Sequence, residues 1–80
     1  MTTATTWITR RPHPDGIEAC IRDTNINVWG LVERRRNGLT DMRILACLPG
    51  LKAADLEAAW AYYADHPEEI DAAMRRNAEA

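Results

Sequence analysis

The sequence predicts a mainly α-helical single domain, in which a short N-terminal extended arm or β-hairpin precedes a bundle of three to four helices. Three observations carry that expectation. Residues 2–10 are dominated by threonine, tryptophan and isoleucine, side chains that fit a pleated surface and crowd a helical turn. From Trp29 onward the apolar residues recur at three- and four-residue intervals, the spacing of one helix face. Gly38, Pro49, Gly50 and Pro67 cut that region into segments of helix length.

In chain order, the arm leads into Pro12, Pro14, Asp15 and Gly16. Each proline there restrains its own φ and pushes its predecessor toward extended geometry, while Gly16 accepts positive φ, so a turn is expected. A second extended piece is expected at about residues 20–28. Two short strands are marginal alone in water. They must lie on the helices, pair with each other across the turn, or pair with the arm of a second subunit. The last arrangement makes an intertwined homodimer, with Trp7, Ile8, Ile21 and Ile26 as its candidate contacts.

The first helix starts at Trp29, carries Leu31, Val32 and Arg35 toward one side, and stops at Asn37-Gly38. Thr40 is a suitable N-cap for a short second helix ending near Leu48, and Asp41 suits the positive end of its dipole. Beyond Pro49-Gly50, Leu56, Ala59, Trp60 and Tyr63 form the stripe of a third helix that ends near Asp65. Pro67 opens a fourth, with Glu68 and Glu69 in its first turn and Ile70, Ala73 and Met74 as its stripe. The domain thus divides into an extended region at 1–28, a three-helix core at 29–66 and a C-terminal helix at 67–80.

The chain has 80 residues, room for one domain that buries roughly 60% of its unfolded surface, so help from a partner chain is in keeping with its size. No segment approaches the ~20 apolar residues of a membrane span, and the polar start lacks the pattern of a signal peptide. Cys20 and Cys47 form no CxxC pair and read as reduced thiols, so a soluble cytoplasmic protein is expected. The net charge of −2 argues against a chain that coats nucleic acid indiscriminately. Its distribution is uneven. Up to Cys47 seven arginines face five acids, whereas from Leu48 onward three bases face seven acids. The front half suits an anion and the back half a protein.

Catalysis needs groups that converge, and no nucleophile with its base, HExxH, CxxC, GxSxG or phosphate-cradling glycine loop is present. Neither an enzyme nor a metal or cofactor is expected. His13 in the proline turn and His66 before the fourth helix are expected to face solvent. Arg34, Arg35 and Arg36 either complement the negative end of the first helix or contact phosphates. Trp7, Trp29 and Trp60 read as core or interface anchors, with Tyr63 on the apolar stripe and Tyr62 beside it. The second helix, the 49–51 break and the third helix have the layout of a helix-turn-helix. The third helix opens with Lys52, Ala53, Ala54, Asp55 and Glu57, whose two carboxylates would repel phosphates. Arg22, Arg34, Arg35, Arg36 and Lys52 are the candidate DNA contacts.

Four motifs follow one another: Asn37-Gly38-Leu39-Thr40, Leu48-Pro49-Gly50-Leu51, Ala58-Ala59-Trp60-Ala61-Tyr62-Tyr63 and Asp65-His66-Pro67-Glu68-Glu69-Ile70-Asp71. Over about residues 21–71 this succession resembles the bacterial family catalogued as domain of unknown function 433. That family's pattern runs from an extended "GTR" region through "GL[ST]", "PGL" and "ALAYY" to a charged helical tail. The resemblance implies a homeodomain-like helix-turn-helix fold. It also implies an antitoxin that partners a small PIN-like ribonuclease toxin and represses its own operon by binding operator DNA. Asp23-Thr24-Asn25 stands where "GTR" is expected, and Lys52 where a Ser or Thr cap is usual. The partner surface expected on this reading is Ile70, Ala73 and Met74 for apolar contact. Arg75 or Arg76 would reach the partner's acidic site, unless both merely suit the end of the helix. The alternatives are a regulator acting through DNA alone and a structural dimerisation module.

Overall fold

A computed structural model describes residues 7–14 and 16–79; the side chains of His13 and Glu79, and with them the expected exposure of His13, lie outside that description, as does residues 2–6 of the expected arm. Two strands come first, β1 (Ile8–His13) and β2 (Gly16–Ile21), paired antiparallel with Ile8 opposite Ile21 and His13 opposite Gly16. Of the three arrangements open to the strands, the chain adopts the first two together: the hairpin pairs across its own turn and lies on the helices.

The second extended piece is shifted from its expected place. β2 ends at Ile21, seven residues earlier than expected from β-propensity alone, because residues 22–25 make a turn. The Thr24 N–H and hydroxyl both donate to the Ile21 carbonyl, at 2.9 and 2.6 Å, and the Ile26 N–H donates back to the Thr24 hydroxyl at 3.1 Å. A short side-chain hydroxyl competing for backbone groups in this way favours a turn over a ladder. Arg22, at φ +45°, sits in the left-handed region, and its N–H donates to the Trp7 carbonyl at 2.8 Å.

Four helices follow: α1 (Val28–Arg36), α2 (Asp41–Cys47), α3 (Ala53–Asp65) and α4 (Pro67–Glu79). Their limits have local causes. α1 stops because Gly38 takes φ +97°, which lets the N–H groups of Gly38 and Leu39 close on the carbonyls of Arg35 and Arg34. α2 starts where the Thr40 hydroxyl accepts from the Arg43 N–H at 3.2 Å. Residues 48–52, with Gly50 at φ +90°, connect α2 to α3. His66 then separates α3 from α4, and Pro67 opens α4 at the position where a missing N–H costs nothing.

α1 is the central element, packed on α2, α3, α4 and β2. The core runs through Ala19 and Ile21 of β2, Val28, Leu31 and Val32 of α1, Ile44 of α2, Leu51, Leu56 and Ala59 around α3, and Ile70 of α4. Each large aliphatic side chain removed from water there contributes about 1.5–3 kcal/mol. The hairpin therefore closes the base of the bundle, and α4 completes it.

Candidate functional site

The candidate DNA contacts have different fates. Arg22 forms a two-point pair with Asp55, Nε to Oδ1 at 3.0 Å and Nη2 to Oδ2 at 2.8 Å. The same carboxylate accepts the backbone N–H of Lys52 at 2.9 Å, so Asp55 caps the start of α3 from its third position, a role the Lys52 side chain has no acceptor to fill. Asp55 is 1% exposed. The Arg22 guanidinium, against the opposing effect of burial, holds its carboxyl below the usual aspartate range, helped by the Lys52 N–H and the Trp7 side chain. Two sequence expectations change here. Arg22 is engaged inside the chain and is not free for phosphate, and Asp55 is a buried, neutralised group that presents no charge to a phosphate. Of the two carboxylates at the head of α3, only Glu57 is exposed, beside the exposed Lys52, Ala53 and Ala54.

The arginine triplet fans out from the end of α1. Arg34 donates to the Gly30 carbonyl of its own helix at 3.2 Å. The Arg35 guanidinium lies over the Trp60 ring, 4.6 Å from its centroid. Arg36 pairs with Asp71 of α4 at 3.0 Å, contacts the Tyr63 hydroxyl, and lies 5.6 Å from the Tyr63 ring centroid. Only the exposure of Arg34 and Arg35 leaves part of the triplet facing outward without a carboxylate partner among the described residues.

A pattern that sequence reasoning missed joins the two tyrosines to α4. Tyr63 donates to Asp71 at 2.9 Å and shares that carboxylate with Arg36. Tyr62 donates to Glu69 at 2.5 Å, while Arg10 of β1 donates to both the Tyr62 hydroxyl and Glu69 at 2.9 Å. Each tyrosine thus stands at the centre of an arginine–tyrosine–carboxylate triad, one reaching the hairpin and one reaching α1. Burial, followed by the Glu69 carboxylate, pushes the Tyr62 hydroxyl up to about 12. His66 stacks on Tyr62 with ring centroids 4.3 Å apart. It is half-buried, not solvent-facing as the sequence suggested. The usable signal was the pair of adjacent tyrosines followed, seven and eight positions onward, by Glu69 and Asp71.

The expected partner surface is also redistributed. Ile70 and Ala73 are each 2% exposed and belong to the chain's own interior, which corrects their assignment to a partner. An amphipathic stripe shows that a face is covered without saying by what, and here α1 covers it. Met74 is half-buried against the same core. Arg75 is exposed and lines a cleft of about 430 Å³ with Glu33, Arg36, Asp71 and Met74. Arg76 turns back beneath the hairpin, where its Nη1 lies 3.5 Å from the position a Cβ would take at Gly16. Among the candidate dimer contacts, Ile21 is fully buried in the chain's own core, Ile8 and Ile26 are partly buried against it, and Trp7 remains 42% exposed. Trp29 and Trp60 are half-buried, and Cys20 is buried while Cys47 is exposed.

With this geometry in view, the family model described as protein of unknown function (DUF433) matches residues 8–63. The chain belongs to the DUF433 family. The match takes in the hairpin that the motif resemblance left out, and it stops short of α4. The crystal structure of a DUF433 member protein from Anabaena variabilis ATCC 29413 is similar at 46% identity and a TM-score of 0.78, over 86% of this chain and 68% of that one. No curated protein matches. Among the described residues, no helix is long and apolar enough to cross a membrane.

Proposed function

We propose that this DUF433 protein is a homeodomain-like helix-turn-helix antitoxin, which binds and inhibits a PIN-like ribonuclease and represses its own operon. The observation that carries the reading is the position of Arg75, an exposed guanidinium near the end of α4, at the rim of an open cleft. Such a fork is suited to carboxylates of a metal-dependent nuclease site, which it can bind at two points. Arg76, turned back beneath the hairpin, acts on stability instead. A homodimer belongs to the same proposal, with Trp7, Ile8 and Ile26 its remaining candidate contacts because Ile21 is enclosed.

The test mixes the purified chain with the PIN-like ribonuclease encoded beside it and follows RNA cleavage. Wild-type chain is expected to suppress cleavage, and Arg75→Ala to restore a large part of it. Undiminished inhibition by an Arg75→Ala, Arg76→Ala double variant would overturn the plug mechanism.

A second reading, a regulator acting through DNA alone, is favoured by one observation. With Asp55 turned inward and neutralised, the head of α3 offers Lys52 to a phosphate with only Glu57 opposing it. It requires binding to the operon's own promoter that weakens steeply with salt. Absence of that binding in low salt eliminates it.

A further inference from the structure

A second cleft, which shares only Arg36 with the one beside Arg75, lies between α1 and α3. It encloses about 310 Å³ and is lined by Val32, Arg35, Arg36, Trp60 and Tyr63. Val32, 3% exposed, and the two aromatic rings make its surface apolar. Its rim is cationic, and the two guanidiniums differ in their surroundings. Arg36 is answered by Asp71, whereas Arg35 has no carboxylate within ion-pair distance among the described residues and is held by Trp60 alone. Arg34, next along α1, donates only to a backbone carbonyl of its own helix. An apolar cavity bordered by unanswered positive charge is complementary to an apolar side chain flanked by carboxylates.

We propose that this cleft docks an acidic peptide segment of a partner protein, seating a bulky aliphatic side chain against Val32, Trp60 and Tyr63 and placing a carboxylate on Arg35. Nucleic acid fits less well. The Trp60 face that would stack a base is already covered by Arg35. The proposal is independent of the nuclease reading, since it uses neither α4's end nor Arg75.

The experiment measures fluorescence anisotropy of a fluorescein-labelled peptide of alternating glutamate and leucine, titrated with the full chain at moderate salt. A lysine-for-glutamate peptide and labelled oligo-dT and oligo-U are run in parallel. The glutamate peptide is expected to bind, and Arg35→Glu to weaken it about tenfold or more, the loss of one charge-assisted contact. Trp60→Phe, which keeps a ring on Val32, should weaken it less than Arg35→Glu, with circular dichroism confirming that both variants fold. No binding of the glutamate peptide, equal binding of the lysine peptide, or unchanged affinity in Arg35→Glu overturns the proposal. Tighter binding of an oligonucleotide, lost in Arg35→Glu, would overturn it in favour of nucleic acid.

Discussion

Replacing Ile70 with alanine separates a fourth helix that completes the core from one held ready for a partner. The side chain is 2% exposed and packs in the core cluster that α1 centres, so its truncation removes buried methyl groups and leaves a cavity. Substitutions of this kind cost about 2–5 kcal/mol, against a total of about 5–15 kcal/mol for a natural domain. For a chain of this size each kcal/mol lowers the thermal midpoint by roughly 4–8 °C, so a loss of about 3 kcal/mol gives roughly 12–24 °C. Far-ultraviolet circular dichroism during heating and urea denaturation reads the effect. The urea midpoint should fall with little change in slope. Arg75→Ala, an exposed change on the same helix, should stay within about 0.5 kcal/mol of wild type. An Ile70→Ala variant as stable as wild type would refute the reasoning, because α4 would then not be seated in the core in solution.

Two further predictions follow from the buried polar groups. Because Asp55 titrates below its ordinary value of 3.8, its pair with Arg22 stabilises the fold above that pH and is lost as pH falls through the folded-state value. Asp55→Asn should therefore be less stable at neutral pH and show a flatter loss of stability in acid below about pH 4; a wild-type acid slope would contradict the pair's role. Tyr62 behaves in the opposite sense. Its neutral hydroxyl stabilises the fold up to its ordinary value of 10.0, and that contribution is lost as pH rises toward about 12. Tyr62→Phe should lose less stability than wild type over that alkaline interval, measured by denaturant midpoints, and an identical alkaline slope would exclude the triad as a contributor.

What could be read in the sequence was local. Gly38, Thr40 and Pro67 each act on backbone groups within four residues, so the limits of α1, α2 and α4 were expressed in composition alone. The extended piece expected at residues 20–28 gives way to a turn whose causes are also local: Asp23, Thr24 and Asn25 are turn formers, and the β-branched residues on either side of them mask that signal. The site was harder because its contacts join residues far apart in the chain. Arg22 meets Asp55 across 33 positions and Arg10 meets Glu69 across 59, and a run of residues carries no record of such pairings. Ile70 and Ala73 illustrate the same limit. Their helical spacing identified an apolar face, and only the placement of α1 shows that this face is already covered.

The proposal that this chain works by binding a nuclease partner is tested most directly by a tagged pull-down from the native host at moderate salt. Mass spectrometry of the eluate should identify a small PIN-like protein in stoichiometric amount, recovered in reduced amount with Arg75→Ala. Recovery of the chain with nothing but itself would contradict the claim and leave promoter binding as the function to test.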